Sequence, residues 1–190
     1  TITAEGDNTV IWVKAAGEML LGGFTPRALS EVPPATRSLH DPAHLHDLLG
    51  DLERIRHERA RVRLRAKRVG SPLDRWNGAS GAALTLVDAH AHRLAAQELL
   101  AAAAQATDPQ VGLLLDHLHR LFALRYIAAH SGELLAHERM TAEQVRYLPE
   151  VLEATVAALA PHALALTDAF AVPEELTAQN PMLRSEGVPA

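Results

Sequence analysis

The chain has 190 residues, 48% of them hydrophobic but only 4% aromatic, and a formal net charge of −5 with its 11 histidines neutral. That length suits one domain with a real core, and an apolar content dominated by Ala, Leu and Val favours helix, because Ala and Leu lose little side-chain freedom there. The absence of cysteine excludes disulfides and thiolate metal sites, the acidic balance argues against nucleic-acid binding, and no apolar run approaches the ~20 residues that span a bilayer.

The first helix is expected from Asp7 to Leu21. Val10, Val13, Gly17, Leu20 and Leu21 fall near helical spacing, and Gly22-Gly23 sits at the C-cap. The stretch FTPRALSEVPPATRS, rich in Pro, Ser and Thr, reads as a connector without regular structure. Asp41-Pro42 then supplies an N-cap and a proline at the first helical position. Leu45, Leu48, Leu49, Leu52, Ile55, Val62, Ala66 and Val69 make the apolar stripe of that second helix, and Gly70 stops it.

A third helix is expected from Asp74 or Trp76 to Ala106. Asp108-Pro109 opens a fourth that ends near Ala136. Thr141 and Gln144 form a capping box for a fifth helix toward Phe170, with a break or kink at Pro149, Pro161 or both. Val172-Pro173-Glu174-Glu175-Leu176 reads as a last short turn, and the tail after Thr177 as loose. No stretch alternates like a strand. The expected fold is all-α, an antiparallel helical bundle over 41–178, preceded by a segment and first helix at 1–23 and a connector at 24–40, and followed by a tail at 179–190. The opening lacks a basic-then-apolar signal and the SEGVPA ending is not a peroxisomal address, so a cytoplasmic location is expected.

Four features carry possible chemistry. Histidines cluster at His40, His44 and His46, at His90 and His92, and at His117 and His119. His40 and His44 have the i,i+4 spacing of helical metal ligands, and Asp88 reaches toward His92 in the same way. The pairs two apart diverge on a helix, and no Glu lies three residues before a His. The pattern favours solvated histidines, or buried ones bonded to carboxylates such as Asp88 or Asp116, over a metal site. Arg54, Arg56, Arg59, Arg61, Arg63, Arg65, Lys67 and Arg68 crowd one helix, but a step of two residues turns about 200° and spreads them around it. With Glu53 and Glu58 available as partners, a solvated face or an inter-subunit ion-pair surface is favoured over nucleic acid; contact with a phosphate-bearing cofactor stays open. Small residues after Trp76-Asn77, at Gly78 and Gly81, suit close helix packing. In the opening, Glu5 and Asp7 are either N-terminal helix caps or part of an active site. Thr1 has no base beside it in the sequence to make it a nucleophile.

EGDNTV followed by an amphipathic helix resembles the last active-site segment of the flavin-dependent acyl-CoA oxidases, within the wider acyl-CoA dehydrogenase superfamily. WNGASGAALTLVDAHAHRL resembles the oxidase helix that begins with an aromatic–Asn pair, and LLDHLHRLFALRYIAAHSGELLAHERMT the helix and connector after it. ALAPHALALTDAFAVPEELTA resembles the oxidase ending, so the likeness spans most of positions 5 to 180.

That resemblance implies a catalytic base at Glu5, removing the α-proton of a fatty acyl-CoA, with the β-hydrogen passing as hydride to FAD and a trans-2-enoyl-CoA as product. Gly6 is implied to let the backbone approach the acyl chain, and Asp7, Asn8 and Thr9 to lie against the FAD. Oxidases return the electrons to oxygen and form hydrogen peroxide; dehydrogenases pass them to an electron-transfer flavoprotein. The N-terminal helical domain, β domain and middle bundle of a complete oxidase do not precede this segment here. A split, nicked or truncated enzyme is therefore expected, active with its N-terminal portion as a separate chain, and a homodimer once assembled. The alternatives are a dehydrogenase of acyl-CoA or carrier-bound acyl groups in a biosynthetic pathway, and a non-catalytic helical interaction module.

Overall fold

The computed structural model describes residues 7–66, 71–173 and 175, and among them there is no β-strand. The helices are α1 (Asp7–Leu21), α2 (Pro42–Ala66), α3 (Pro72–Gln105), α4 (Pro109–Ala129), α5 (Ser131–Ala136), α6 (Ala142–Leu159) and α7 (Ala163–Asp168). α3 lies between α2 and α4, α6 closes on α4, and α1 rests on α3. No described helix is long and apolar enough to cross a membrane.

The expected helix starts are present, each with its local cause. Thr141 accepts from the Gln144 N–H at 3.1 Å while the Gln144 side chain accepts from the Thr141 N–H at 2.9 Å. Asp108 caps α4 through the Gln110 N–H at 2.8 Å. α3 begins earlier than expected, because Ser71 and Asp74 form a second capping box ahead of Trp76. α1 stops at Gly22, whose N–H donates to the Glu18 carbonyl at 2.8 Å; a Cβ there would lie 2.3 Å from that oxygen.

Two expectations are corrected, on α2 and α4, while the break expected at one or both prolines of the fifth helix is found at Pro161. The stripe on α2 ends its burial at Ala60: Val62 and Ala66 are exposed, and Val69 and Gly70 fall outside the described residues. The fourth helix breaks at His130 and resumes as α5, with Ser131 donating to the Ala128 carbonyl at 3.0 Å. Of the two prolines, Pro149 lies inside a continuous α6, on its exposed side, where the carbonyl that loses its donor can turn to water. Pro161 does interrupt the helix, through a 3₁₀ turn at Ala160–His162. Val172 and Pro173 have no regular structure, Glu175 is helical, and Glu174, Leu176 and the tail lie outside the described residues.

The main core joins Leu45, Leu48, Leu49 and Leu52 of α2 to Ala123, Leu124 and Ile127 of α4, with Leu134, Met140, Leu148 and Val151 closing it. Alanines at 79, 83, 89 and 96 are fully buried along α3, and their short side chains let its neighbours come close. A smaller cluster seats α1, through Ala16 and Met19, against Ala83, Leu86 and Val87. The connector at 24–40, expected to lack regular structure, contains a 3₁₀ turn at Pro34–Thr36 and is tied to the bundle. Gln144 donates to the carbonyls of Pro34 and Arg37 at 2.9 and 3.0 Å, and Arg139 donates to that of Ser30 at 2.7 Å.

The Thr141 cap holds both the start of α6 and the Gln144 side chain that pins the connector. Thr141→Ala is expected to lower unfolding free energy by about 1 kcal/mol, read as a shifted urea midpoint at unchanged slope. An unchanged midpoint would show that the capping box does not stabilise the fold.

Candidate functional site

The sequence-predicted site falls at the N-terminus of α1. Glu5 and Gly6 lie outside the described residues. Asp7 and Asn8 form the first turn of α1, and Thr9, next along it, is exposed. The unpaired first-turn N–H groups of a helix and the positive end of its dipole favour an anionic or hydrogen-bond-accepting group at such an end.

α1 is positioned by its far half. Gly17 faces Trp76, whose Cη2 would lie 4.0 Å from a Cβ at that glycine. Beyond the end of α1, Phe24 packs edge-on against His57 and His90, with ring centroids 5.8 and 5.2 Å away. α1 therefore runs parallel to α3 and antiparallel to α2. Its N-terminus stands at the end of the bundle where α2 finishes and α3 begins. Trp76 does the packing expected of it, whereas a Cβ at Gly81 would meet nothing within 4 Å, so Gly81 is not a close-approach residue.

What keeps that frame rigid is ionic. Arg56 is not on a solvated face: its side chain is only 4% exposed. It donates to the Tyr126 hydroxyl at 2.6 Å, to the Thr85 carbonyl at 3.2 Å, to Asp88 at 3.3 Å and twice to Glu133 at 3.2 Å. The Tyr126 hydroxyl donates to Asp88 at 2.5 Å. Burial, and then that hydrogen bond to Asp88, push the phenol well above its usual range. His92 bonds the Asp88 carbonyl at 2.9 Å, as its i,i+4 spacing implied, and stacks on Tyr126 with centroids 3.9 Å apart. Glu53, almost fully buried, holds His90 and takes an Arg93 hydrogen bond at 2.7 Å. Asp51 takes one from Arg139 at 2.7 Å, and burial raises its carboxyl pKa.

Of the basic run, Arg54 pairs with Glu58 at 3.1 Å and Arg59 with Glu133 at 2.5 Å. Sequence reasoning missed Arg56 and Glu53 as buried ions, although both are in phase with the stripe: Arg56 lies four residues after Leu52, and Glu53 four after Leu49.

The histidines do not converge. Among the described residues no group of three or more His, Asp and Glu side chains is arranged to hold a metal. Asp116 pairs with Arg120 at 2.9 Å rather than with a histidine. His119 is fully buried with neither ring nitrogen partnered, and the Nδ1 atoms of His44, His46 and His117 are likewise buried and unbonded. Burial lowers the pKa of His46 and His119 and takes that of His44 to about 4.

Two pockets open on the surface. One of about 540 Å³ lies between the connector and α6, lined by Arg37, Leu39, Gln144 and Tyr147 among others. One of about 350 Å³ is lined by His92, Phe122, Arg125, Tyr126 and Ala129. Neither is lined by a described residue of α1.

Residues 53–177 match the sequence profile described as acyl-CoA oxidase, and the chain belongs to the acyl-CoA oxidase family. Its fold is similar to that of acyl-CoA oxidase 3 from Yarrowia lipolytica, at TM-score 0.79 and 18% identity over 91% of this chain and 28% of that one. It is also similar to LeACX1, an acyl-CoA oxidase from tomato, at TM-score 0.72 and 17% identity over 98% of this chain and 34% of the other. Acyl-CoA oxidase-1 of Caenorhabditis elegans, solved with FAD and ATP, matches at TM-score 0.71 and 12% identity over 96% of this chain and 32% of its own. The chain thus spans about a third of the length of each. No curated protein matches it.

Two outcomes follow from the buried ions and imidazoles. Arg56→Met takes the buried guanidinium away from Asp88 and Glu133, leaving them only the Tyr126 hydroxyl and Arg59, and is expected to cost about 3 kcal/mol of stability, against less than about 1 kcal/mol for Arg59→Ala, by urea denaturation. The histidines bind protons more tightly unfolded, near pH 6.5, than folded. Their contribution is therefore complete above about pH 6.5 and is lost as pH falls toward about 4, where His44 titrates. His119→Leu is expected to flatten that pH dependence; an unchanged slope would show that His119 takes no part in it.

Proposed function

We propose that this chain is the C-terminal helical part of an FAD-dependent acyl-CoA oxidase, with Glu5 as the base that removes the substrate α-proton. The observation that carries the proposal is the place of α1: the helix that follows Glu5-Gly6 is seated on α3 by its second half and leaves its first turn at an open end of the bundle. The family match over 53–177 supports the reaction class.

The chemistry suits these residue types. A thioester α-proton is weakly acidic, so a well-placed carboxylate is needed, and desolvation by substrate and cofactor raises its basicity. Gly6, without a side chain, leaves room for the thioester. Asp7, Asn8 and Thr9 in the first turn of α1 would contact the FAD. The cofactor, when bound, supplies the acceptor for the β-hydride and the route to oxygen, which leaves as hydrogen peroxide. The enoyl product is trans-2-enoyl-CoA. The remaining walls of the site come from an N-terminal portion, in this reading a separate chain, and the assembled enzyme is a homodimer.

Glu5→Gln in the assembled enzyme is expected to lower acyl-CoA turnover by about 10²–10⁴-fold while leaving the flavin spectrum unchanged. Turnover at the parental rate would remove Glu5 from the mechanism. Oxygen uptake against dye-coupled turnover distinguishes an oxidase from a dehydrogenase.

A further inference from the structure

The smaller of the two pockets is built from fixed rings and two free polar groups. Phe122, Arg125, Tyr126 and Ala129 follow the i, i+3, i+4, i+7 spacing of one face of α4, and His92 of α3 completes the lining. All five lie within helices, where backbone N–H groups are committed to the helical ladder, so only side chains remain to bind a ligand.

His92 is locked in place. Its ring stacks on Tyr126 and on Phe122, with centroids 3.9 and 5.5 Å apart and the planes inclined by 18° and 21°. Its Nδ1 bonds the Asp88 carbonyl at 2.9 Å. A carbonyl only accepts, so Nδ1 carries the proton and Nε2 keeps a lone pair. The side chain is 34% exposed, and no described residue bonds Nε2. Arg125 is exposed and makes no ion pair or hydrogen bond with a described residue. Among the described residues no carboxylate lines the pocket. Asp88, one turn before His92, is already bound by Arg56 and by the Tyr126 hydroxyl, which is thereby occupied too.

We propose that this pocket binds a small hydroxylated aromatic carboxylate. Each part of the lining selects one part of the ligand. The rings of Phe122 and Tyr126 and the Ala129 methyl group form an apolar wall for an aromatic ring. The Arg125 fork matches a carboxylate, and the Nε2 lone pair of His92 accepts from a hydroxyl. A phosphate dianion is poorly served here. One guanidinium is on offer, no helix N-terminus stands beside it, and the end of α4 at Ala129 disfavours added negative charge. A volume of about 350 Å³ lies at the small end of ligand sites and falls short of what a dinucleotide or an acyl-CoA fills. Binding there is independent of the oxidase reading.

The test is a titration of the chain with para- and meta-hydroxybenzoate, followed by NMR through the Cε1–H signal of His92, which is identified by its loss in His92→Gln. That signal is expected to shift saturably with at least one of the two, while the signal of the exposed His162 stays in place. Affinity is expected to fall about tenfold when the probe lacks its hydroxyl (benzoate), its carboxylate (phenol) or its aromatic ring (hydroxycyclohexanecarboxylate), and about tenfold in Arg125→Gln. Ala129→Leu fills the pocket from an exposed position and is expected to abolish the shift. Neither substitution touches the core. The absence of a saturable shift with both hydroxybenzoates would overturn the site. So would inorganic phosphate or the saturated ring binding as tightly as the hydroxybenzoates, or Arg125→Gln binding as tightly as the parent.

Discussion

The arrangement of this bundle depends on one buried guanidinium. Arg56 leaves α2 and meets Asp88 on α3, Tyr126 on α4 and Glu133 on α5. Desolvating those charges is costly, and the cost is offset only while all partners stay in hydrogen-bonding geometry. Leucine packing would tolerate small slides of one helix past another. A forked, planar donor with fixed acceptors does not, so Arg56 sets the register of four helices. Glu53 with His90 and Arg93, and Asp51 with Arg139, repeat the device at either side.

That register matters because the site belongs to an edge. α1 is held by few contacts: Ala16, Met19, Gly17 against Trp76, and Phe24 between two imidazole rings. Its seat is α3, whose own position is fixed by Arg56 through Thr85 and Asp88. The direction in which α1 leaves the bundle, and hence the place of the residues joined to it, follows from ionic contacts well inside the structure.

The family match and the open end of α1 support the same reading from different sides. The match over 53–177 rests on α2 to α7, not on the EGDNT segment. The segment lies ahead of the match, on the helix that the bundle leaves protruding.

Much of the fold was legible because helices are local objects. The Asp-Pro starts, the Thr141–Gln144 box, the Gly22 stop and the stripe from Leu45 to Ile55 are set by groups no more than a few residues apart. So, by the same token, was the Ser71–Asp74 box, although it was overlooked. The sequence by itself determined that this is a helical bundle, where most of its helices begin, and which segment resembles an oxidase active site. Only the tertiary structure decided that Arg56 and Glu53 are buried, that α4 breaks at His130, and that α1 is seated on α3 by its second half. Those depend on which helix faces meet and at what height, and periodicity within one helix carries no information about its neighbour.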